Sequence, residues 1–89
     1  MELLYGKKFS KDLDAIRHET KIKAQLLKLI EVIRAAKSFA DLKDVRKIEG
    51  YHAYFRVKVG DYRLGIKVEQ STVELIRFLH RKDIYRRFP

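Results

Sequence analysis

The sequence predicts an α+β domain in which a helical hairpin packs on one face of an antiparallel sheet. The N-terminal half repeats its apolar residues at helical spacing, whereas the half that follows residue 44 alternates apolar and polar residues with a period of two. Helices followed by strands are typical of α+β domains whose helices lie on one face of the sheet. The 89 residues suffice for a single domain with one core, so residues 1–89 are expected to fold as one unit.

The N-terminal half predicts a short strand and two helices. Residues 2–5 are apolar, as expected of an edge strand. The residues that predict a first helix over residues 7–18 are Phe9, Leu13 and Ile16. Thr20 can cap a second helix, because its hydroxyl can accept a hydrogen bond from a backbone N–H of the first turn. The apolar stripe of the second helix consists of Ile22, Leu26, Leu29, Ile30 and Ile33. The joint at residues 18–20 is short, so the two helices should form a hairpin.

The C-terminal half predicts a meander that completes a sheet of about four strands. The strands of this meander are expected at residues 45–49, 51–59, 62–69 and 72–79. The helical hairpin should cover the face that contains Val57, Leu64 and Ile66, and the opposite face should stay open. Residues 80–88 predict a short C-terminal helix.

The Gly-Asp dipeptide at residues 60–61 fixes the register of the central hairpin, because it is typical of a two-residue turn. With this turn, Lys58 lies directly opposite Arg63, at a Cβ separation of about 5 Å. Arg56 lies diagonal to Arg63 on the same face. Gly65 lies opposite Arg56 and lacks a side chain, so a ligand should be able to approach the sheet there. Like charges in contact are unfavourable without an anion, so this cluster predicts one.

The overall charge also favours an anionic partner. The chain contains 21 Lys and Arg residues against 12 Asp and Glu residues, a net charge of +9. Nucleic acid, an acidic protein and an anionic membrane surface are all compatible with this charge. Phosphate suits the cluster, because Arg offers a planar fork of donors and Lys a point charge. Tyr54 can add a surface on which a base stacks. The alternative is that these are ordinary solvated positions of a half-exposed sheet.

A second set of polar residues follows the last predicted strand. His80 ends that strand, and His is the side chain best suited to proton transfer near neutral pH. Tyr85 follows among several cations and is a weaker acid. The alternative is that His80 is a strand-end residue and that Tyr85 anchors the core.

Several classes of protein are excluded or disfavoured. The chain contains no cysteine, which excludes disulfides and thiolate zinc sites. The histidines show no metal-ligand spacing, and Asp12, Asp14 and Glu19 are expected on outward helix faces, so neither a metal nor another cofactor is expected. No apolar window resembles a signal peptide or a membrane span, so we expect a cytoplasmic protein without membrane contact.

The hairpin and the C-terminal segment together share a known pattern. The segments RVKVGDYRL at residues 56–64 and LHRKDIYR at residues 79–86 resemble the RelE/ParE superfamily of bacterial toxins from type II toxin–antitoxin pairs. The resemblance covers nearly the whole chain in length, charge and order of elements. It implies a helical hairpin against an antiparallel sheet whose cations face RNA. RelE-type members cleave messenger RNA in the ribosomal A site, whereas ParE-type members poison DNA gyrase and lack the ribonuclease residues.

The resemblance also implies roles for individual residues. Lys58 and Arg63 match the basic pair of RelE, and Arg56 stands where RelE itself has Lys. The Arg that RelE carries near its last strand corresponds to Arg81. The C-terminal Tyr of RelE matches Tyr85, and other members use a His that His80 resembles. The residues expected to act in catalysis are thus Lys58, Arg63, His80 and Tyr85. Those expected to bind RNA phosphate or bases are Tyr54, Arg56, Lys58, Arg63 and Arg81.

The leading hypothesis is a toxin that cleaves messenger RNA without a metal, in association with the ribosome, and so inhibits translation. Its expected protein partner is an acidic antitoxin, in a toxin–antitoxin hetero-oligomer. Two alternatives remain open at this point. One is a gyrase inhibitor without nuclease activity, and the other is an inactive module that still binds an antitoxin.

Overall fold

A five-stranded mixed sheet carries the fold, and helices pack against both of its faces. The structure is a computed structural model that describes all residues from Met1 to Pro89. In chain order the elements are β1 (Glu2–Tyr5), α1 (Lys7–Ala15), α2 (Thr20–Ala35), a 3₁₀ turn (Phe39–Asp41), β2 (Val45–Lys47), β3 (Tyr54–Val59), β4 (Tyr62–Glu69), β5 (Thr72–His80) and α3 (Arg81–Arg87). The strand order is β1-β5-β4-β3-β2, in which β1 runs parallel to β5 and the other neighbours are antiparallel. No helix has both the length and the apolar character that a membrane span requires.

The main core lies between α1, α2 and one face of the sheet, as the sequence predicts. Val57, Leu64 and Ile66 are completely buried on this face. The stripe of α2 packs against them and comprises the buried Leu26, Ile30 and Ile33 together with the partly buried Ile22 and Leu29. Burial of each large apolar side chain stabilises the fold by about 1.5–3 kcal/mol, so this layer anchors the sheet to the two helices.

Several element boundaries differ from those predicted. The sheet has five strands rather than about four, because β1 pairs in parallel with β5. Thr20 is the first residue of α2 rather than its cap, and no side chain caps that helix end. β3 begins at Tyr54 because the preceding residues turn, with positive φ angles of 81° at Gly50 and 70° at Ala53.

The opposite face of the sheet is not fully open, which corrects the expectation for Gly65. α3 packs on this face and buries Ile84 and Phe88. A Cβ at Gly65 would lie 2.8 Å from the ring of Phe88, so the glycine makes room for that ring. No ligand can therefore approach the sheet over Gly65.

One charged pair is buried at the edge of β5. Asp12 faces inward, contrary to expectation, and its Oδ2 and Oδ1 accept hydrogen bonds from Nε and Nη2 of Arg77 at 2.9 and 3.0 Å. Oδ2 also accepts from the backbone N–H of Phe78 at 2.9 Å. The side-chain hydrogen bond to Asp12 raises the pKa of Arg77 against the opposing effect of burial. Because β1 pairs with β5 only up to Leu75, Asp12 supplies the acceptor that a longer strand would have offered.

Candidate nucleic-acid interface

An open groove of about 640 Å³ lies on the sheet face opposite α1 and α2. Strands β2, β3 and β4 supply most of its wall, and α3 closes one side. Its lining residues are Asp44, Val45, Arg46, Arg56, Lys58, Arg63 and Tyr85. Four of these seven residues are cationic, so the groove is suited to an anion. We call it the cationic groove.

The register of the β3–β4 hairpin brings the predicted cations together. Lys58 pairs directly with Arg63, and Arg56 pairs with Gly65, as the two-residue turn predicts. The predicted register is therefore confirmed over the length of β3. The guanidinium of Arg63 is oriented by two backbone carbonyls, to which its Nη1 donates: that of Gly60 at 3.0 Å and that of Tyr62 at 2.8 Å.

Arg46 is a further member of the groove that the sequence reasoning missed. It pairs directly with Arg56 across β2 and β3, which adds a second pair of like charges in contact. The alternation of Val45 and Arg46 was the available signal. It was not sufficient, because the irregular connection between Lys47 and Tyr54 leaves the register of β2 unfixed by any tight turn.

None of the four groove cations forms a salt bridge within the protein. The salt bridges of the chain involve Arg34, Lys67, Arg77 and Arg86, all outside this set. Asp44 lines the groove without pairing, and its backbone carbonyl accepts from the N–H of Lys58 at 3.1 Å. No carboxylate of the chain therefore forms an ion pair with any of these cations.

Tyr85 enters the groove from α3. Its side chain is 65% exposed, and the guanidinium carbon of Arg56 lies 4.4 Å from its ring centroid. This cation–π contact fixes the phenol beside the cations while its hydroxyl stays accessible. The arrangement can thus hold a phosphate and offer a proton donor or acceptor next to it.

His80 and Arg81 are not brought into the cationic groove. His80 pairs with Tyr62 on the face that α1 and α2 cover, and the centroids of the two rings lie 5.6 Å apart. Its Nδ1 accepts from the backbone N–H of Lys82 at 3.2 Å, so His80 caps the N-terminus of α3. Arg81 is exposed, and its backbone N–H donates to the carbonyl of Asp61 at 2.8 Å. Both residues thus contribute to the attachment of α3 to the sheet.

Tyr54 lies on the same face of the sheet as Arg56 but outside the groove lining. Its ring contacts those of Tyr51 and Phe88, with centroids 6.1 and 5.8 Å away, and the ammonium of Lys67 lies 5.6 Å from its centroid. The protein itself therefore occupies the surroundings of the ring that was expected to stack on a base.

The cationic groove continues into a second depression, which we call the side compartment. The two share Arg46, Arg56 and Tyr85. The side compartment is further lined by Lys47, Ile48, Glu49, Tyr51, Arg86, Phe88 and Pro89. The Arg56–Tyr85 contact thus stands between two connected spaces.

The structure brings together no group of three or more His, Cys, Asp or Glu side chains that could hold a metal ion. The positive charge at the site is supplied by side chains of the chain itself.

Comparisons with known proteins agree with this fold. Residues 3–85 match the family model described as ParE toxin of type II toxin-antitoxin system, parDE. Toxin RelE3 of Methanocaldococcus jannaschii is 43% identical over 90 residues, across the whole of both chains. The crystal structure of the RelB-RelE antitoxin-toxin complex from Methanococcus jannaschii matches with a TM-score of 0.79 and 41% identity, over 97% of this chain and 99% of that one.

A more distant match shows the fold alone. YafQ from Escherichia coli strain BL21(DE3) matches with a TM-score of 0.75 and 17% identity, over 94% of this chain and 97% of that one. The family model and the relative that aligns over its whole length confirm the resemblance that the hairpin and the C-terminal segment indicate. The chain belongs to the RelE/ParE toxins of type II toxin–antitoxin systems.

Proposed function

We propose that this protein is a toxin that cleaves messenger RNA at the ribosome and thereby inhibits translation. One observation carries the proposal: Arg46, Arg56, Lys58 and Arg63 line one groove without a carboxylate partner and beside an accessible phenol. A polyanion with a hydroxyl next to each phosphate suits this set, because the cations bind the phosphate and the phenol can transfer a proton.

Cleavage of RNA requires stabilisation of a negatively charged phosphorane. The 2′-oxygen attacks the adjacent phosphorus and the bond from phosphorus to the 5′-oxygen breaks, which leaves a 2′,3′-cyclic phosphate and a 5′-hydroxyl. Lys58 and Arg63, in direct register, can hold the non-bridging oxygens, and Arg56 with Arg46 can add charge from the neighbouring strand. Fixed charges of this kind typically contribute about 10²–10³ in rate for each donor.

The reaction also moves two protons. One leaves the attacking 2′-hydroxyl, and one is given to the departing 5′-oxygen. Tyr85, Lys58 and Asp44 are the groove side chains that can exchange a proton, and we assign the transfers to Tyr85 and Lys58, which lie next to the groove arginines. His80 lies on the other face with its Nδ1 already engaged, so its proposed task is to hold α3, which carries Tyr85. Arg81 is proposed to attract RNA by its charge at the start of α3.

The proposed protein partner is an acidic antitoxin. The net charge of +9 favours an acidic chain, and a relative with 41% identity is known in an antitoxin–toxin complex. Leu27 and Val32 are exposed on α2, by 58% and 55%, and can take apolar side chains of such a partner. A segment that covers the cationic groove would place carboxylates where RNA otherwise binds.

A gyrase inhibitor is the second candidate, because the matching family model is that of ParE toxins. Such a toxin acts by binding a protein and needs no side chain that transfers a proton or stabilises a transition state. Tyr85 beside the groove cations favours RNA cleavage instead. DNA breaks with intact messenger RNA on induction would identify the gyrase inhibitor, and normal growth would identify an inactive antitoxin-binding module.

Induced expression followed by mapping of RNA 5′ ends tests the proposal. Wild type should arrest growth and produce new 5′-hydroxyl ends in messenger RNA. Arg63→Ala and Tyr85→Phe should each lower cleavage by about 10²-fold or more. The matched control is Lys37→Ala, which removes an exposed cation that does not line the groove and should cleave like wild type. If Arg63→Ala and Tyr85→Phe both arrest growth and cleave like wild type, the assignment is wrong.

A further inference from the structure

The side compartment is not used by the chemistry proposed above. It adjoins the cationic groove at Arg46, Arg56 and Tyr85. An RNA chain with one phosphate in the groove can therefore extend into the side compartment. The side chains that line the side compartment determine whether the protein binds only a phosphate or also the neighbouring nucleotide.

An exposed aromatic ring stands in the side compartment at Tyr51. The residue is half exposed, and its ring meets that of Tyr54 edge to face, with an interplanar angle of 83°. Tyr54 is in turn held by Phe88. The Tyr51 backbone N–H donates to the carbonyl of Ile48 at 3.3 Å. These contacts hold an aromatic ring at the surface where no apolar core requires it.

The charges around Tyr51 favour an anion. Arg46 and Arg56 line the compartment and form no salt bridge within the chain, whereas Glu49 is its one acidic residue. Aromatic rings combined with cations that follow a backbone are the features by which proteins bind single-stranded nucleic acid. An acidic protein segment would use the cations but would not need the ring.

We propose that the side compartment binds the nucleotide next to the scissile phosphate, with its base stacked on Tyr51 and its negative charge met by Arg46, which lines both spaces. The inference rests on the proposed function, since it gives the RNA a second point of attachment. Stacking on an aromatic ring tolerates any base, so this contact adds affinity without strict sequence preference. The smallest RNA that binds well is then a dinucleotide rather than a mononucleotide.

Binding of uncleavable RNA of increasing length tests the proposal. The probes are 2′-O-methyl oligouridylates of one to four nucleotides with a 5′-phosphate, because they lack the attacking hydroxyl. Wild type should gain affinity when the second nucleotide is added. Tyr51→Ala should lose that gain, by about 5–100-fold, and Tyr51→Phe should keep it. The affinity for the mononucleotide should be the same in all three proteins.

Tyr5→Ala is the matched control, because Tyr5 is equally exposed but lies on β1. It should bind every probe like wild type. If Tyr51→Ala gains as much affinity from the second nucleotide as wild type does, the side compartment does not bind that nucleotide. The proposed function would still stand in that case if wild type cleaves RNA. A Tyr51→Ala variant that weakens only the affinity for an acidic antitoxin would also overturn the side compartment as a nucleotide site. Wild type that gains affinity with length but cleaves no RNA would instead remove the ribonuclease and retain the binding site.

Discussion

Arginine occurs in two opposite settings on the sheet. Arg77 is 8% exposed and is bound by both carboxylate oxygens of Asp12. Arg46 and Arg56 lie opposite each other across β2 and β3, and neither forms a salt bridge. Where the fold needs an arginine, the chain supplies an acid for it. Cations left in contact with one another therefore indicate a ligand from outside the chain rather than a structural role.

The largest expected effect is on the paired arginine. Asp12→Ala leaves Arg77 buried and unpaired, and the free energy of unfolding should fall by about 3–5 kcal/mol. The pKa of Arg77 is raised in the folded state, so the charged guanidinium contributes to the free energy of unfolding at neutral pH. This contribution is lost only as the pH rises through the raised pKa. Urea denaturation at neutral pH measures the change.

The double variant Asp12→Leu with Arg77→Met is the control for this prediction. It replaces the pair by apolar groups and should recover part of the stability, because the buried charge is removed but the backbone N–H of Phe78 loses its acceptor. A loss below about 1 kcal/mol for Asp12→Ala would mean that Arg77 does not depend on its acid, and the contrast between the two settings would fail.

The second prediction concerns Arg46, the unpaired arginine that sequence reasoning missed. Arg46→Ala should lower RNA affinity by about 10–100-fold, because a hydrogen bond to a charged group contributes about 1.5–3 kcal/mol. Stability should not fall, since no intramolecular partner is lost. The slope of log affinity against log salt should decrease by about 0.7 for the phosphate contact removed. Unchanged affinity and slope would place Arg46 outside the RNA site.

His80 gives a smaller effect that separates two roles. Because His80 caps α3, His80→Ala should cost about 1 kcal/mol, which is about fivefold in the equilibrium between the ordered and the frayed helix, so cleavage should fall by no more than about fivefold. His80→Asn keeps an acceptor for the N–H of Lys82 and should cleave within about twofold of wild type. If His80 transferred a proton, both variants would lose about 10²–10⁴ in rate, which the same cleavage assay would detect.

The smallest prediction compares two lysines of the same sheet. Lys58→Gln relieves the contact with Arg63 and should raise the free energy of unfolding by roughly 0.5 kcal/mol while weakening RNA binding. Lys67→Gln is the matched control, because Lys67 lies 3.5 Å from the carboxylate of Glu69, and its removal should leave stability unchanged or slightly lower. Equal effects of the two substitutions on stability would remove the argument from repulsion.

The parts of the site that sequence predicted are those set by local geometry. The two-residue turn at Gly60 and Asp61 determines which residues of β3 and β4 are neighbours, so the contact of Lys58 with Arg63 followed from it. The pairing of Arg46 did not follow, because no tight turn links β2 to β3. Asp12 reaches a partner 65 positions away, which no spacing rule connects.

Two other differences have the same origin in distant packing. The sequence shows that Gly65 has no side chain. The ring of Phe88 fills the space above this glycine, and that depends on how α3 folds back over the sheet. An irregularity in β5 leaves Ile76 without a partner opposite the step from Gly65 to Ile66. Strand alternation therefore could not assign the face of His80, because a bulge of this kind reverses the alternation beyond it.

The carboxylate of Asp12 has a further consequence for the protein in a crowded cell. The carboxylate accepts a hydrogen bond from the backbone N–H of Phe78, on the part of β5 that β1 does not reach. That N–H is then no longer free to bond to a strand of another molecule. Unpaired donors along a sheet edge promote association between identical chains. The same contact that neutralises a buried arginine thus also helps to keep separate copies of this sheet from joining edge to edge.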